Sequence, residues 1–276
     1  MSETFLNEQS QKLRQFLEKS KRALFFTGAG VSTESGISDF RSKGTARFLR
    51  EYFSGRTGRS SPKMCGLWQR FQPVTIQEFL ASDDKRREYW IYKKEVYAQA
   101  RDAKPNLGHL TMAKIEKEGK AIGVVTQNID GLHQRAGSKN VLELHGTTLE
   151  IICLSCGETG PVAPVYERIQ GGEEIPLCLK CGGFLKPNTI SFGQMLDPNV
   201  LRKASQWARD CDLFIAAGST LVVEPAASIP RMAKEYGIPL VIINRDSTPL
   251  DFMADLVVHT EIGSFLSSAV SYTGKI

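Results

Sequence analysis

No apolar run in this chain approaches the roughly 18 residues that a membrane-spanning helix needs, so no membrane span is expected. The first 22 residues lack an unbroken apolar stretch and do not read as a secretory leader, which makes the cytoplasm the expected compartment. Internal repeats and low-complexity tracts are absent. Cysteine is scarce, six in 276 residues, and without a secretory leader so few argue against a disulfide framework. Charge of one sign is also weak: the formal net charge is +5. The densest basic stretch runs from Arg41 to Arg70 and reads first as a solvated loop.

What is present is an ordinary globular composition, 41% hydrophobic and 9% aromatic, enough for a full core. The N-terminal stretch places Phe5, Leu6, Leu13, Phe16 and Leu17 on one helical stripe. Short aliphatic runs recur at Ala23–Thr27, Ile122–Thr126, Val141–Leu144, Asp212–Ala217, Leu240–Asn244 and Leu256–His259. Continuous apolar runs suit strands covered on both faces. Helical stretches lie between them, among them Asn106–Glu118, Val200–Arg209 and Ala226–Tyr236, with Gly119 and Gly237 at the expected stops. The alternation predicts an α/β fold with a doubly wound parallel sheet. Residues 42–104 and 150–187 break the rhythm and read as insertions that together form a smaller module; the second shows no long periodic element.

Four cysteines form a paired pattern, Cys153-x-x-Cys156 and Cys178-x-x-Cys181. Each tight turn supplies two thiolates, and two turns complete a tetrahedral set for Zn2+; the alternatives are redox-active or unliganded thiols. Four thiolates leave no position for water, so such a zinc is structural, and its binding supplies on the order of 10 kcal/mol of folding free energy. The segment between the knuckles is acidic (Glu158, Glu167, Glu173, Glu174), which argues against nucleic acid as a partner. Cys65 and Cys211 have no partner in the sequence pattern and read as packed or reduced.

After the first apolar run comes Gly28-Ala29-Gly30-Val31-Ser32. Glycines there let backbone amides approach a phosphate, although Thr33 stands where a third glycine of the dinucleotide fingerprint would. Polar clusters close the other strands: Thr126-Gln127-Asn128-Ile129-Asp130, Gly218-Ser219-Thr220 and Asn244-Arg245-Asp246. In an open parallel sheet the ligand crevice lies at these carboxyl ends. His145 ends a predicted strand beside Gly146, where a general base can work near neutral pH. His133 reads as a capping or packed histidine.

Taken together, Gly28 to Arg41 (including Ser38-Asp39-Phe40-Arg41), Thr126 to His133, Leu144-His145-Gly146 and the cysteine pairs resemble the sirtuin family, from about Arg22 to Ile262. Ala103-Lys104-Pro105-Asn106 and the stretch from Lys186-Pro187 to Phe192-Gly193 match as well. The resemblance implies a Rossmann-like domain in three parts, 1–41, 105–149 and 188–276. A cofactor loop and helical insertion over 42–104 and a zinc-binding insertion over 150–187 interrupt it. It further implies NAD as co-substrate, acyl-lysine proteins or peptides as partners, and transfer of the acyl group to ADP-ribose with loss of nicotinamide. The acyl carbonyl oxygen attacks C1′ of the nicotinamide ribose, so the site must stabilise an oxocarbenium-like centre and exclude water.

Carried over by position, the catalytic residues are His145, as base on a ribose hydroxyl, with Asn128 and Asp130. The cofactor set adds Gly28, Ala29, Gly30, Thr33, Asp39, Phe40, Arg41, Gln127, Ile129, Gly218, Ser219, Thr220, Asn244, Arg245, Asp246 and Ile262. Phe192, Gly193, Gln194, Val222 and Val223 form the peptide channel, where the substrate adds as a strand. Cys153, Cys156, Cys178 and Cys181 hold the zinc. Ser38 replaces a usual proline, Ser219-Thr220 reverses a usual order, and Gln194 replaces a usual glutamate. These departures bear on peptide preference. The Tyr and Arg pair expected just after Arg41 in sirtuins that take acidic acyl groups is missing at that spacing, so a neutral acyl group, acetyl, is expected. The rival readings are an ADP-ribosyltransferase and a non-catalytic NAD or ADP-ribose sensor.

Overall fold

A computed structural model describes residues 3–37 and 73–270. Ser38, Asp39, Phe40, Arg41 and the basic stretch to Arg70 lie outside the described residues.

Six parallel strands form the main sheet: β1 (Ala23–Thr27), β2 (Ala121–Thr126), β3 (Val141–Glu143), β7 (Leu213–Ala217), β8 (Leu240–Ile243) and β9 (Leu256–Val258). Their order is β3-β2-β1-β7-β8-β9. The chain winds outward from β1 in one direction and then returns to build the other, so the order reverses beside β1, where ligands of open sheets bind. Alternate residues of β1 supply the two cores. Ala23 and Phe25 pack with Leu13 and Leu17 of α1 (Glu3–Lys19), Met112 and Ile115 of α4 (Leu107–Lys117), and Phe265 and Leu266 of α9 (Ile262–Ala269). Leu24 and Phe26 pack with Ala204 and Ala208 of α7 (Pro198–Asp210) and Ile229 and Ala233 of α8 (Ser228–Glu235). Each fully buried Phe or Leu contributes roughly 2–3 kcal/mol. Gly119 and Gly237 follow α4 and α8 with φ of 74° and 78°, the left-handed stop the sequence predicts.

The smaller unit is an antiparallel sheet of β5 (Thr159–Pro161), β4 (Gly146–Cys153) and β6 (Leu185–Thr189) with α6 (Ala163–Gln170). Here the structure adds regular elements to a segment whose sequence shows no long periodicity. Their turns are short and Cys-, Gly- and Pro-rich, which masks the pattern. The helical insertion contributes α2 (Ile76–Ala81) and α3 (Asp83–Asp102). Thr75 and Glu78 form a capping box that starts α2, and the Ser82 side chain caps α3. Trp90 of α3, almost fully buried, packs with Ile151, Val162, Val165 and Leu185, so the two insertions share one core. Tyr97 stacks on Tyr166 with ring centroids 4.4 Å apart, and the Tyr166 hydroxyl donates to the Lys93 carbonyl at 2.8 Å. Among the described residues no helix is long and apolar enough to cross a membrane.

Candidate functional site

A cleft of about 960 Å³ opens between the carboxyl ends of β1, β2, β7 and β8 on one side and the helical insertion on the other. Its floor is the glycine turn. The Gly28 amide donates to the Ala217 carbonyl at 3.1 Å and the Gly30 amide to Gly218 at 2.8 Å. A Cβ on Gly28 would stand 2.7 Å from the Gly218 carbonyl oxygen, and one on Gly30 2.8 Å from Gly218 Cα. Only glycine allows two backbones this close. Thr33 turns its hydroxyl back to the Gly30 carbonyl at 2.9 Å.

Ser32 links the polar residues after β2. Its hydroxyl donates to Asp130 Oδ2 at 2.7 Å and accepts from Asn128 Nδ2 at 3.1 Å. Asn128 Nδ2 also donates to the Gly28 carbonyl at 3.1 Å, and its backbone amide to Thr126 Oγ1 at 3.0 Å. The second carboxylate oxygen of Asp130 accepts from the Leu132 amide at 2.9 Å. Burial raises the Asp130 carboxyl above its ordinary range, against the pull of the Leu132 amide and the Ser32 hydroxyl.

His145 follows β3 and lines the same cleft. Its Nδ1 lies 2.8 Å from the Gln127 carbonyl oxygen, which can only accept. Nδ1 therefore carries the proton, and the lone pair of the neutral ring sits on Nε2, the form a general base requires. The Gln127 side chain reaches the other way, donating to Ser219 Oγ at 2.8 Å.

Ala29, Ile129, Gly218, Thr220, Asn244, Arg245, Asp246 and Ile262 line the cleft as well. The Asn244 amide nitrogen is engaged with the Asp246 carbonyl at 2.7 Å, and the Ile262 backbone amide with Glu34 Oε1 at 3.1 Å. Phe192, Gly193, Gln194 and Val223 also line the cleft. Gln194 Oε1 accepts from the Ser191 amide at 3.2 Å, which folds the side chain into its own turn. Val222 is exposed and does not line the cleft.

Several lining residues escape sequence reasoning. Tyr89, Tyr92, Lys93, Val96 and Ala100 form one wall from α3. Their spacing of three and four residues marks one helical face, a signal that pattern counting would have found. Lys93 is buried and donates to Thr189 Oγ1 at 3.0 Å. Burial, and then the nearby Lys186, push its ammonium down to about 7. His133 is buried as expected, with Nε2 2.9 Å from Thr27 Oγ1.

Away from the cleft, the sulfurs of Cys153 and Cys181 lie 3.5 Å apart and those of Cys156 and Cys178 3.9 Å apart, all four within 4.8 Å of one another. A tetrahedral zinc with bonds of about 2.3 Å sets its sulfurs about 3.8 Å apart. The four thiols thus fit one Zn2+, with every position filled by protein. Cys211 is buried at the end of α7, with its thiol toward the Ala208 carbonyl.

A reversing parallel sheet, a glycine floor and a four-thiol knuckle define an α/β protein with a dinucleotide-type crevice and a structural metal module. The sequence model of the Sir2 family matches residues 56–225, and the chain belongs to that family. An NAD-dependent protein deacetylase of Thermodesulfovibrio yellowstonii is 40% identical over 260 residues, 94% of this chain and 93% of the relative. NAD-dependent protein deacetylase 2 of Streptomyces coelicolor is 40% identical over 254 residues, 90% and 96% of the two chains. A solved complex described as "Sir2-p53 peptide-NAD+" superposes with a TM-score of 0.79 at 33% identity, covering 95% of this chain and 97% of the other.

Proposed function

We propose that this protein removes acyl groups, acetyl foremost, from protein lysines by transferring them to the ADP-ribose of NAD, with release of nicotinamide. The observation that carries the reading is His145, held in its Nδ1–H tautomer by Gln127, in one cleft with Asn128 and Asp130. Binding alone needs no base; acyl transfer to a ribose hydroxyl does.

The glycine floor suits NAD, because Gly28 and Gly30 keep the backbone bare where a pyrophosphate must approach it. The cleft volume lies at the upper end of the ~300–1,000 Å³ of small-molecule sites, room for a dinucleotide and an acylated side chain. NAD supplies the electrophilic ribose carbon. Asn128 and Asp130, tied to each other through Ser32, orient the nicotinamide half. His145 Nε2 accepts the proton of a ribose hydroxyl as that oxygen attacks the acyl carbon, a role worth about 10²–10⁴ in rate. The acyl-lysine enters between the rim at Phe192–Gln194 and Val223, with its side chain pointing toward the α3 wall. The zinc holds the module that backs this wall and takes no part in the chemistry. We place the protein in the cytoplasm, where thiols stay reduced and suit zinc.

The test incubates the protein with an acetyl-lysine peptide, with and without NAD, and follows peptide and nucleotide by mass spectrometry. The expected result is NAD-dependent loss of acetyl with formation of O-acetyl-ADP-ribose, abolished in His145→Ala. Transfer of ADP-ribose onto protein would instead favour the transferase reading. NAD binding without turnover of acetyl or longer acyl peptides would favour the sensor.

A further inference from the structure

Two buried histidines stand behind the site, and their protons point one way. His109, on α4, and His133 are both almost fully buried, with ring centroids 4.8 Å apart and planes at 58°. The direction of each proton follows from its partner. Thr27 Oγ1 donates to Thr126 Oγ1 at 2.8 Å, so it must accept from His133 Nε2 at 2.9 Å. His133 is then the Nε2–H tautomer, with a bare lone pair on Nδ1. At the other ring the Asn106 amide donates to His109 Nδ1 at 3.4 Å, so that proton also sits on Nε2. Among the described residues His109 Nε2 and His133 Nδ1 have no hydrogen-bond partner. One is a donor lacking an acceptor; the other is an acceptor lacking a donor, on touching rings. Burial supports neutral forms for both: it pushes His133 down to about 4, and with His133 nearby it pushes His109 down to about 2.

Both ends of this chain meet the candidate site. At the near end Thr126 Oγ1 receives the Asn128 backbone amide. At the far end Asn106 holds the glycine turn, its Nδ2 donating to the Val31 carbonyl at 2.7 Å and to Ser35 Oγ at 2.9 Å. We propose that His109 and His133 are positioning residues. In this relay His133 Nε2–H acts through Thr27 and Thr126 to fix the backbone of Asn128, and His109, packed against the His133 ring, accepts from the Asn106 amide and so steadies the side chain that holds the glycine turn. Neither histidine exchanges a proton with substrate. The proposal rests on the cleft being the NAD site, and it assigns these buried groups a part in cofactor geometry beyond core packing.

Two measurements test it. Nitrogen-15 NMR of histidine-labelled protein should show both rings as Nε2–H with no titration between pH 5.5 and 8.5. A proton on Nδ1 of either ring, or titration in that range, overturns the relay. In kinetics, His133→Phe fills the space without donors and should lower kcat/KM for NAD about tenfold or more, with KM for peptide unchanged. His133→Gln, which keeps a donor for Thr27, should recover most of the loss. An unchanged kcat/KM for NAD in a folded His133→Phe, or no recovery in Gln, overturns the proposal. If His133→Phe does not fold, the spectra of the native protein decide. If the native protein turns over no acyl peptide, the functional reading fails on its own, and NAD affinity of the variants by calorimetry still decides the relay.

Discussion

The Ser32 hydroxyl lies 2.7 Å from the Asp130 carboxylate and donates to it, which ties the glycine turn to the loop after β2. That bond, with the Leu132 amide, the Asp130 backbone amide and the charge of Arg135, favours ionised Asp130 against the burial that opposes it. Replacing Ser32 by Ala should therefore raise the Asp130 carboxyl further and move the acid limb of the pH profile of kcat/KM for NAD to higher pH. At pH 7 the loss should be about tenfold, the scale of one buried hydrogen bond to a charged group. An acid limb that stays in place would show that Asp130 does not govern it.

Asp130 itself should show a conflict between stability and function. Its folded carboxyl binds protons more readily than in the unfolded chain, because burial raises it. Stability then declines as pH rises from the ordinary value of 3.8 through the folded value. Asp130→Asn removes the charge and keeps the shape. Its melting temperature at pH 7 should equal or exceed that of the native protein while NAD turnover falls about 100-fold or more. Thermal scans beside steady-state kinetics check both halves.

Stripping the metal should disable a site that holds none. Trp90 shares its core with Cys153, Cys178 and Tyr166, and the same helix walls the cleft with Tyr89, Tyr92 and Lys93. One zinc per chain is expected by elemental analysis. Chelation, or Cys178→Ser, should expose Trp90 to water, seen as a red shift of its fluorescence, and abolish peptide turnover. Retained activity in zinc-free protein would break this link.

The two buried lysines predict a pH trend of opposite sense to that of Asp130. Burial pushes Lys186 down to about 8 and Lys93 to about 7, so between those values and 10.5 the folded chain binds fewer protons than the unfolded one. Their contribution to stability is least favourable below pH 7 and improves as pH rises toward 10.5. Lys93→Met keeps the apolar stem and removes the charge, and should flatten that rise. Melting temperatures at pH 6.5, 8 and 9.5 for both proteins measure it.

How legible the molecule was depended on how simply each residue is used. β1 spans the same residues as its apolar run, because Ala23–Thr27 is buried throughout and only a parallel central strand uses five such residues together. β6 was hidden, since Leu185-Lys186-Pro187-Asn188-Thr189 carries residues that disfavour strands. Tertiary contacts override that preference: Lys186 Nζ donates to the carbonyls of Pro187 and Thr189 inside the fold. The site divides similarly. Gln127, Asn128, Asp130 and His145 stand at strand ends, where position alone announces a ligand. Lys93 and His109 sit on helices: spacing shows which helical face Lys93 shares, but a single sequence gives no sign that this face lines a cleft or that His109 touches a second imidazole.

The shared core of α3 with the thiol knuckle has a mechanical consequence. One jaw of the cleft is bolted to the small sheet and the other is the row of carboxyl strand ends of the large one, and among the described residues no buried apolar cluster spans the seam between them. Units joined this way are expected to move relative to one another. A peptide laid into the seam as an added strand would bond to both edges at once. The substrate would then act as the missing rung that sets how far the jaws stand apart, and sequences unable to lie extended would leave the gap at the wrong width for His145 to reach its proton.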